Sequence, residues 1–141
     1  LATAESCTGG MIAAACTDLA GSSQWFDRGF VTYSNEAKTE MLSVPAELIA
    51  KHGAVSEEVV RAMAEGAIRH SCAQVSIAVT GIAGPGGGSV EKPVGTVWVG
   101  WCVQGVPHSI LLNLTGSRHH IRLATTAYAL QRLHLQLHQA Q

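Results

Sequence analysis

At 141 residues the chain is long enough for one domain with a buried core, and with 47% hydrophobic against 13% charged residues it is too apolar to be a disordered segment. A net charge of −1, from 9 Lys and Arg scattered without a basic stripe, gives nucleic acid no electrostatic footing. No apolar run reaches the length of a membrane span and no signal peptide is visible, so neither nucleic acid nor membrane is expected as a partner.

Leu1-Ala2-Thr3-Ala4 reads as the end of a strand, and the Ala-rich run Met11 to Leu19 as a helix closed by Ala20-Gly21. The chain opens inside that strand, so residues upstream are expected. Between strand and helix stand Glu5-Ser6-Cys7-Thr8-Gly9-Gly10. A tight strand-to-helix turn lifts Ser6 or Cys7 out of the sheet, with free helix N–H groups beside it as an oxyanion hole. The other reading of this turn, the commoner one for such a pattern, is an ordinary helix cap with Thr8 as N-cap.

Phe30-Val31-Thr32-Tyr33 is a second strand by its β-branched and aromatic content. Ser34 or Asn35 caps a short helix over about Glu36 to Leu42. Pro45 opens another, Ala46 to Lys51, ended by Gly53. Ser56-Glu57-Glu58 starts a longer helix to about Ser71, with Val59, Met63, Gly66-Ala67 and His70 on one face. Val75 to Thr80 is a near-continuous apolar run, suited to a strand buried on both faces. A glycine loop, Gly81 to Ser89, follows it. Val94 to Val103 and His108 to Leu114 form a hairpin across Gln104-Gly105. The last helix runs from about Ser117, with Ile121, Ala124, Tyr128 and Leu135 spaced for packing. The order implies an α/β fold: a three-layer α/β/α sandwich on a mixed, mostly parallel sheet of about five strands.

Several groups carry chemistry. The glycine loop leaves the end of the buried strand, where α/β folds bind ligands, but matches neither the P-loop nor the dinucleotide fingerprint. It is either a backbone that faces a ligand or a flexible connection. Lys38 falls near the start of a helix, an unfavourable end for an ammonium. Pointed into a cleft it would be pushed towards the neutral amine and serve as a base. Pointed outward it is a surface lysine. Ser6 and Lys38 together make a Ser–Lys pair, although neither S-x-x-K nor G-x-S-x-G is present. Cys7 is the rival nucleophile, with His52 or His70 as base, set against simple burial of its thiol. Cys7, Cys16, Cys72 and Cys102 lack CxxC spacing and read as reduced thiols of a cytoplasmic protein. His119-His120 and the i,i+4 pair His134 and His138 lack the companions of a metal motif and read as solvated. Arg118 and Arg122 share a helix face and either bind phosphate or are solvated.

Taken together, Ala4-Glu5-Ser6-Cys7-Thr8-Gly9-Gly10, Thr32-Tyr33-Ser34-Asn35-Glu36-Ala37-Lys38, Val79 to Gly87, Lys92-Pro93-Val94-Gly95-Thr96 and Gly116-Ser117-Arg118 resemble the CinA C-terminal-domain family. Its members include nicotinamide-nucleotide amidases. The likeness spans nearly the whole chain in order. It implies a metal-free, cofactor-free amidohydrolase that converts nicotinamide mononucleotide to nicotinic acid mononucleotide and ammonia. It also implies a five-stranded mixed sheet and a homo-oligomer. By motif position Ser6 resembles the nucleophile, Lys38 the general base and Tyr33 a residue that supports the pair, and in the implied reaction the backbone N–H groups around Thr8 to Gly10 would hold the oxyanion. Thr8, Gly9, Gly10, Thr32, Asn35, Gly81, Gly84, Gly86, Gly87 and Arg118 fall at the implied substrate-binding positions. Residues 1–141 correspond to a single domain lacking the family's N-terminal helix and the start of its first strand. Ser117 departs from the acidic residue the family usually has there, and His119-His120 is an unusual continuation. Two other functions fit such a domain: a nucleotide-binding module without turnover, and an oligomerisation module of a larger CinA-type protein.

Overall fold

A computed structural model describes residues 1–140. The strands are β1 (Ala2–Glu5), β2 (Arg28–Val31), β3 (Val75–Gly81), β4 (Thr96–Val103) and β5 (Val106–Asn113), and the sheet order is β2-β1-β3-β4-β5. β1 is parallel to β2 and β3, while β4 is antiparallel to β3 and β5. Only β4 runs against the others, so the sheet is mixed as expected, with its ladders split evenly between the two kinds. The hairpin turn is the two-residue pair Gln104-Gly105, both at positive φ (53° and 77°), which matches the twist of the flanking strands.

The helices are α1 (Met11–Thr17), α2 (Asn35–Leu42), α3 (Ala46–His52), α4 (Glu57–Arg69) and α5 (Arg118–Gln139). Side chains alternate across the sheet and divide the core in two. Ala2, Ala4, Ala78 and Cys102 meet Leu42, Ile49 and the α4 residues Val59, Val60, Met63 and Ala67. Ile77, Val79, Val97, Val99 and Trp101 meet Ile12 of α1 and Ile121, Ala129 and Leu133 of α5. Each fully buried Val or Met contributes about 2 kcal/mol of transfer free energy. Small residues set the spacing: a Cβ on Gly66 would stand 2.2 Å from the Leu42 carbonyl oxygen, so α4 crosses α2 only as glycine. Among the described residues no helix is long and apolar enough to cross a membrane.

Several element ends shift by one or two residues from the sequence reading, and three differences bear on packing. β2 begins and ends two residues earlier than Phe30–Tyr33. It is an edge strand whose register is set by β1, Ala2 opposite Arg28 through Glu5 opposite Val31. Its apolar signal belongs partly to exposed residues, Val31 at 47% and Tyr33 at 62%. On α5 the packed stripe is Ile121, Thr125, Ala129 and Leu133 rather than one ending on Leu135, which is 51% exposed. Thr125 and Thr126 pack because their hydroxyls donate to the carbonyls of Ile121 and Arg122, leaving methyl groups for the interior. His70 caps α4 from outside the packed face, its ring bonded to the exposed Ser43 hydroxyl at 2.8 Å.

Candidate active site

Ser6 is the first residue past β1, and its N–H donates to the Val79 carbonyl at 3.1 Å, one rung beyond the β1–β3 ladder. The chain then reverses through Gly9 and Gly10, whose φ angles of 59° and 108° suit glycine. The expected Thr8 cap is replaced by another device. The N-cap position is Gly10, without a side-chain bond, and Glu5 supplies the acceptor instead. Its carboxylate, 1% exposed, accepts from the Thr8 hydroxyl at 2.5 Å and from the N–H groups of Ile12 and Ala13 at 2.9 and 3.1 Å. The sequence reading placed Glu5 in the turn after the strand and gave it no role, whereas it is the last residue of β1. The signal was an acid at the last position of a buried strand, just ahead of a helix with no acid in its first turn.

Lys38 lies in the first turn of α2, which Ser34 caps by accepting from the Ala37 N–H at 3.0 Å. Its side chain turns inward and is 1% exposed. The amine lies 3.0 Å from Ser6 Oγ, 2.9 Å from the Thr32 carbonyl oxygen and 3.2 Å from that of Tyr33. Carbonyls only accept, so two N–H bonds are committed to them. The remaining tetrahedral direction faces Ser6, and in a neutral amine it carries the lone pair. Burial pushes the Lys38 amine below the ordinary lysine range, an effect that neighbouring Cys7 only partly offsets. Burial acts on Cys7 in the other direction: its thiol is pushed up to about 11, against the thiolate that a helix start would favour. His52 and His70, its candidate bases, engage Glu58 and Ser43 instead.

A cleft of about 290 Å³ opens over this pair at the carboxyl end of β1 and β3. Of the residues singled out in the sequence, Ser6, Cys7, Lys38, Tyr33, Gly81, Gly84, Gly86, Gly87 and Arg118 line it. Ala54 and Val55, from the connection between α3 and α4, form a wall for which the sequence carried no signal. Thr8, Gly9, Gly10, Thr32 and Asn35 are not among the lining residues. Thr8 is fully buried against Glu5, and Thr32 reaches the site only through its carbonyl. Asn35 faces a separate depression with Glu36, Thr39 and Ile49. The Gly9 N–H, expected in an oxyanion hole, is spent on the Ser6 carbonyl at 3.1 Å. Tyr33 has two separate parts: its carbonyl holds the Lys38 amine, while its phenol oxygen on the rim accepts from Arg118 at 3.3 Å. Arg118 also donates to the Gly84 carbonyl at 2.7 Å, and Arg122 donates to the Cys7 and Thr8 carbonyls at 3.0 and 3.3 Å. Arg118 is thus held on the exposed rim of the cleft, while Arg122 is half-buried. His134 and His138 share an exposed face of α5, their Nε2 atoms 3.1 Å apart. Among the described residues no group of three or more His, Cys, Asp or Glu is placed to hold a metal ion.

The family described as the CinA C-terminal domain matches residues 1–137. The chain belongs to that family. This CinA domain is 54% identical over 134 residues to the nicotinamide-nucleotide amidohydrolase PncC of Escherichia coli K12, covering 93% of this chain and 80% of that protein. It is 58% identical over 130 residues to a CinA-like protein of Citrifermentans bemidjiense, covering 92% of this chain but 31% of that longer protein. Among solved structures, the competence/damage inducible protein CihA of Agrobacterium tumefaciens superposes with a TM-score of 0.91 at 51% identity, covering 94% of this chain and 81% of that one. The competence damage-inducible protein A of Klebsiella pneumoniae superposes with a TM-score of 0.95 at 41% identity, covering 99% and 87%. The mixed five-stranded CinA fold is thus shared at high identity.

Proposed function

We propose that this CinA domain is a nicotinamide-nucleotide amidase, a hydrolase that converts nicotinamide mononucleotide to nicotinic acid mononucleotide and ammonia without a metal or cofactor. The observation that carries the reading is the buried Lys38 amine 3.0 Å from the Ser6 hydroxyl, in a cleft of small-molecule size. The 54% identity to a nicotinamide-nucleotide amidohydrolase supports the choice of substrate. In this mechanism the neutral Lys38 amine takes the Ser6 proton as Oγ attacks the carboxamide carbon. The pyridinium ring draws electrons from the amide and makes that carbon more electrophilic. The tetrahedral intermediate collapses as the Lys38 ammonium returns its proton to the leaving nitrogen, which departs as ammonia. The nicotinoyl ester on Ser6 is then cleaved by water, with Lys38 again as base and Ser6 recovering a proton. Arg118 and the free N–H groups of the Gly84–Gly87 segment are the donors for the 5′-phosphate. The four unpaired cysteines support a cytoplasmic setting, and a homo-oligomer is part of the same reading.

The test is ammonia release from nicotinamide mononucleotide by wild type, Ser6→Ala and Lys38→Ala, with a chelator present. Wild type is expected to turn over, and each variant to lose at least about a thousandfold in kcat while its circular dichroism is unchanged. Equal rates in wild type and Ser6→Ala would remove the nucleophile. Activity lost to the chelator would overturn the metal-free mechanism.

A further inference from the structure

The proposed reaction leaves Arg122 without a task, yet its guanidinium is turned against the nucleophile turn. From α5, Nε donates to the Cys7 carbonyl at 3.0 Å and Nη2 to the Thr8 carbonyl at 3.3 Å, across 115 and 114 residues of chain. Gly9, at a φ of 59°, packs against it: a Cβ there would come into ordinary contact with Arg122 Nη2, at 3.4 Å. The Glu5 carboxylate holds the Thr8 hydroxyl of the same turn and the N–H groups just beyond it. The turn is therefore gripped by an anion that takes its donors and a cation that takes its acceptors.

In a trans peptide the carbonyl and the following N–H point opposite ways. The Ser6 carbonyl is turned to the Gly9 N–H, so the Cys7 N–H points away from that bond. The Cys7 carbonyl is turned to Arg122, so the Thr8 N–H points away from α5. The Ser6 N–H is already committed to Val79. The Cys7 N–H has no acceptor in any other described residue, only its own side-chain sulfur nearby, and Cys7 lines the cleft beside Ser6. A backbone donor left free of the rest of the protein beside the nucleophile is what a developing oxyanion requires.

We propose that Arg122 is a positioning residue: by holding the Thr8 carbonyl it fixes the Thr8–Gly9 peptide, whose N–H grips the Ser6 carbonyl, and that grip aims the Cys7 N–H at the carbonyl oxygen of the amide under attack. The inference rests on Ser6 being the nucleophile, as in the proposed function. The oxyanion donor is then the residue directly after the nucleophile, one step earlier in the chain than the Thr8–Gly10 stretch.

Wild type is compared with Arg122→Ala, Arg122→Gln and Arg122→Lys in two assays. One is ammonia release from nicotinamide mononucleotide. The other is acylation of Ser6 by p-nitrophenyl acetate, in which the acetyl group passes to Oγ, nitrophenolate leaves and Lys38 takes the Ser6 proton. Arg122→Ala is expected to lower kcat about a hundredfold with KM within about threefold, and to slow acylation by a similar factor. Added guanidinium ion restores part of the rate, and Arg122→Lys, able to reach one carbonyl, falls between wild type and Ala. Substrate affinity measured in the Ser6→Ala background is unchanged by adding Arg122→Ala. Thermal melts identify any variant that fails to fold, in which case Gln and Lys carry the comparison. A folded Ala or Gln variant with wild-type rates in both assays overturns the proposal, as does a loss confined to KM or one that guanidinium leaves untouched. A wild type that is acylated by the ester but releases no ammonia overturns the amidase reading alone, because the ester still decides the role of Arg122. A wild type inert in both assays overturns both.

Discussion

The Ser6 turn and the glycine loop at the end of β3 face one cleft and both depend on glycine, yet they are held very differently. The Ser6 turn is fastened by Val79, by its own Gly9 and Met11 N–H groups, by Glu5 and by Arg122. In the loop the stem is fastened: Gly84 by Arg118, and Ser89 by Lys92 at 2.9 Å. At its tip a Cβ on Gly86 would meet nothing within 4 Å. The difference separates two tasks. Proton transfer needs atoms held within a few tenths of an ångström, whereas a backbone that wraps a ligand profits from N–H groups still uncommitted. In the proposed reaction the chemistry sits on the fastened side and recognition on the open one.

The largest effect is expected on the fastened side, at its amine. Lys38→Arg keeps a cation that cannot deprotonate, and kcat should fall about a thousandfold. The sign of the pH dependence follows from the lowered amine. The rate rises with pH as Lys38 loses its proton and levels off below the ordinary lysine value of about 10.4. A rate still climbing at that pH would show an unperturbed amine and break the assignment. The same shift makes stability rise with pH between the lowered folded value and the unfolded one, because the unfolded chain binds the extra proton there. Lys38→Met should abolish that slope in denaturant titrations run at several pH values.

Next comes Glu5. Glu5→Ala strands the Thr8 hydroxyl and two helix N–H groups, and should lower unfolding free energy by about 3 kcal/mol, read by urea denaturation. A loss under 1 kcal/mol would mean that the turn is held without it and would blur the contrast between the two regions. The smallest effect is expected at the open tip. Gly86→Ala meets open space without a positive φ, so stability should change by less than about 0.5 kcal/mol, while KM for the nucleotide moves more than kcat. A stability loss comparable to that of Glu5→Ala would show the loop to be as tightly packed as the turn.

Much of this molecule was determined locally. The apolar run at Val75, the two-residue Gln104-Gly105 turn, the Ser34 and Ser56 caps and the helical spacing of α4 each express a preference that acts within a few residues, and each forms where that preference lies. Five dispersed motifs pointed to the CinA family, and through it to Ser6 and Lys38. The tertiary structure alone decided what those residues meet. Ser6 and Lys38 are 32 residues apart, and their contact follows from β2 pairing in parallel beside β1, which delivers the start of α2 to the end of β1. Glu5 and Arg122 became clamps of one turn because a strand end and a helix residue 115 positions beyond Cys7 converge on it. Burial is a property of that convergence, and it moves a lysine and a cysteine in opposite directions to the same neutral state.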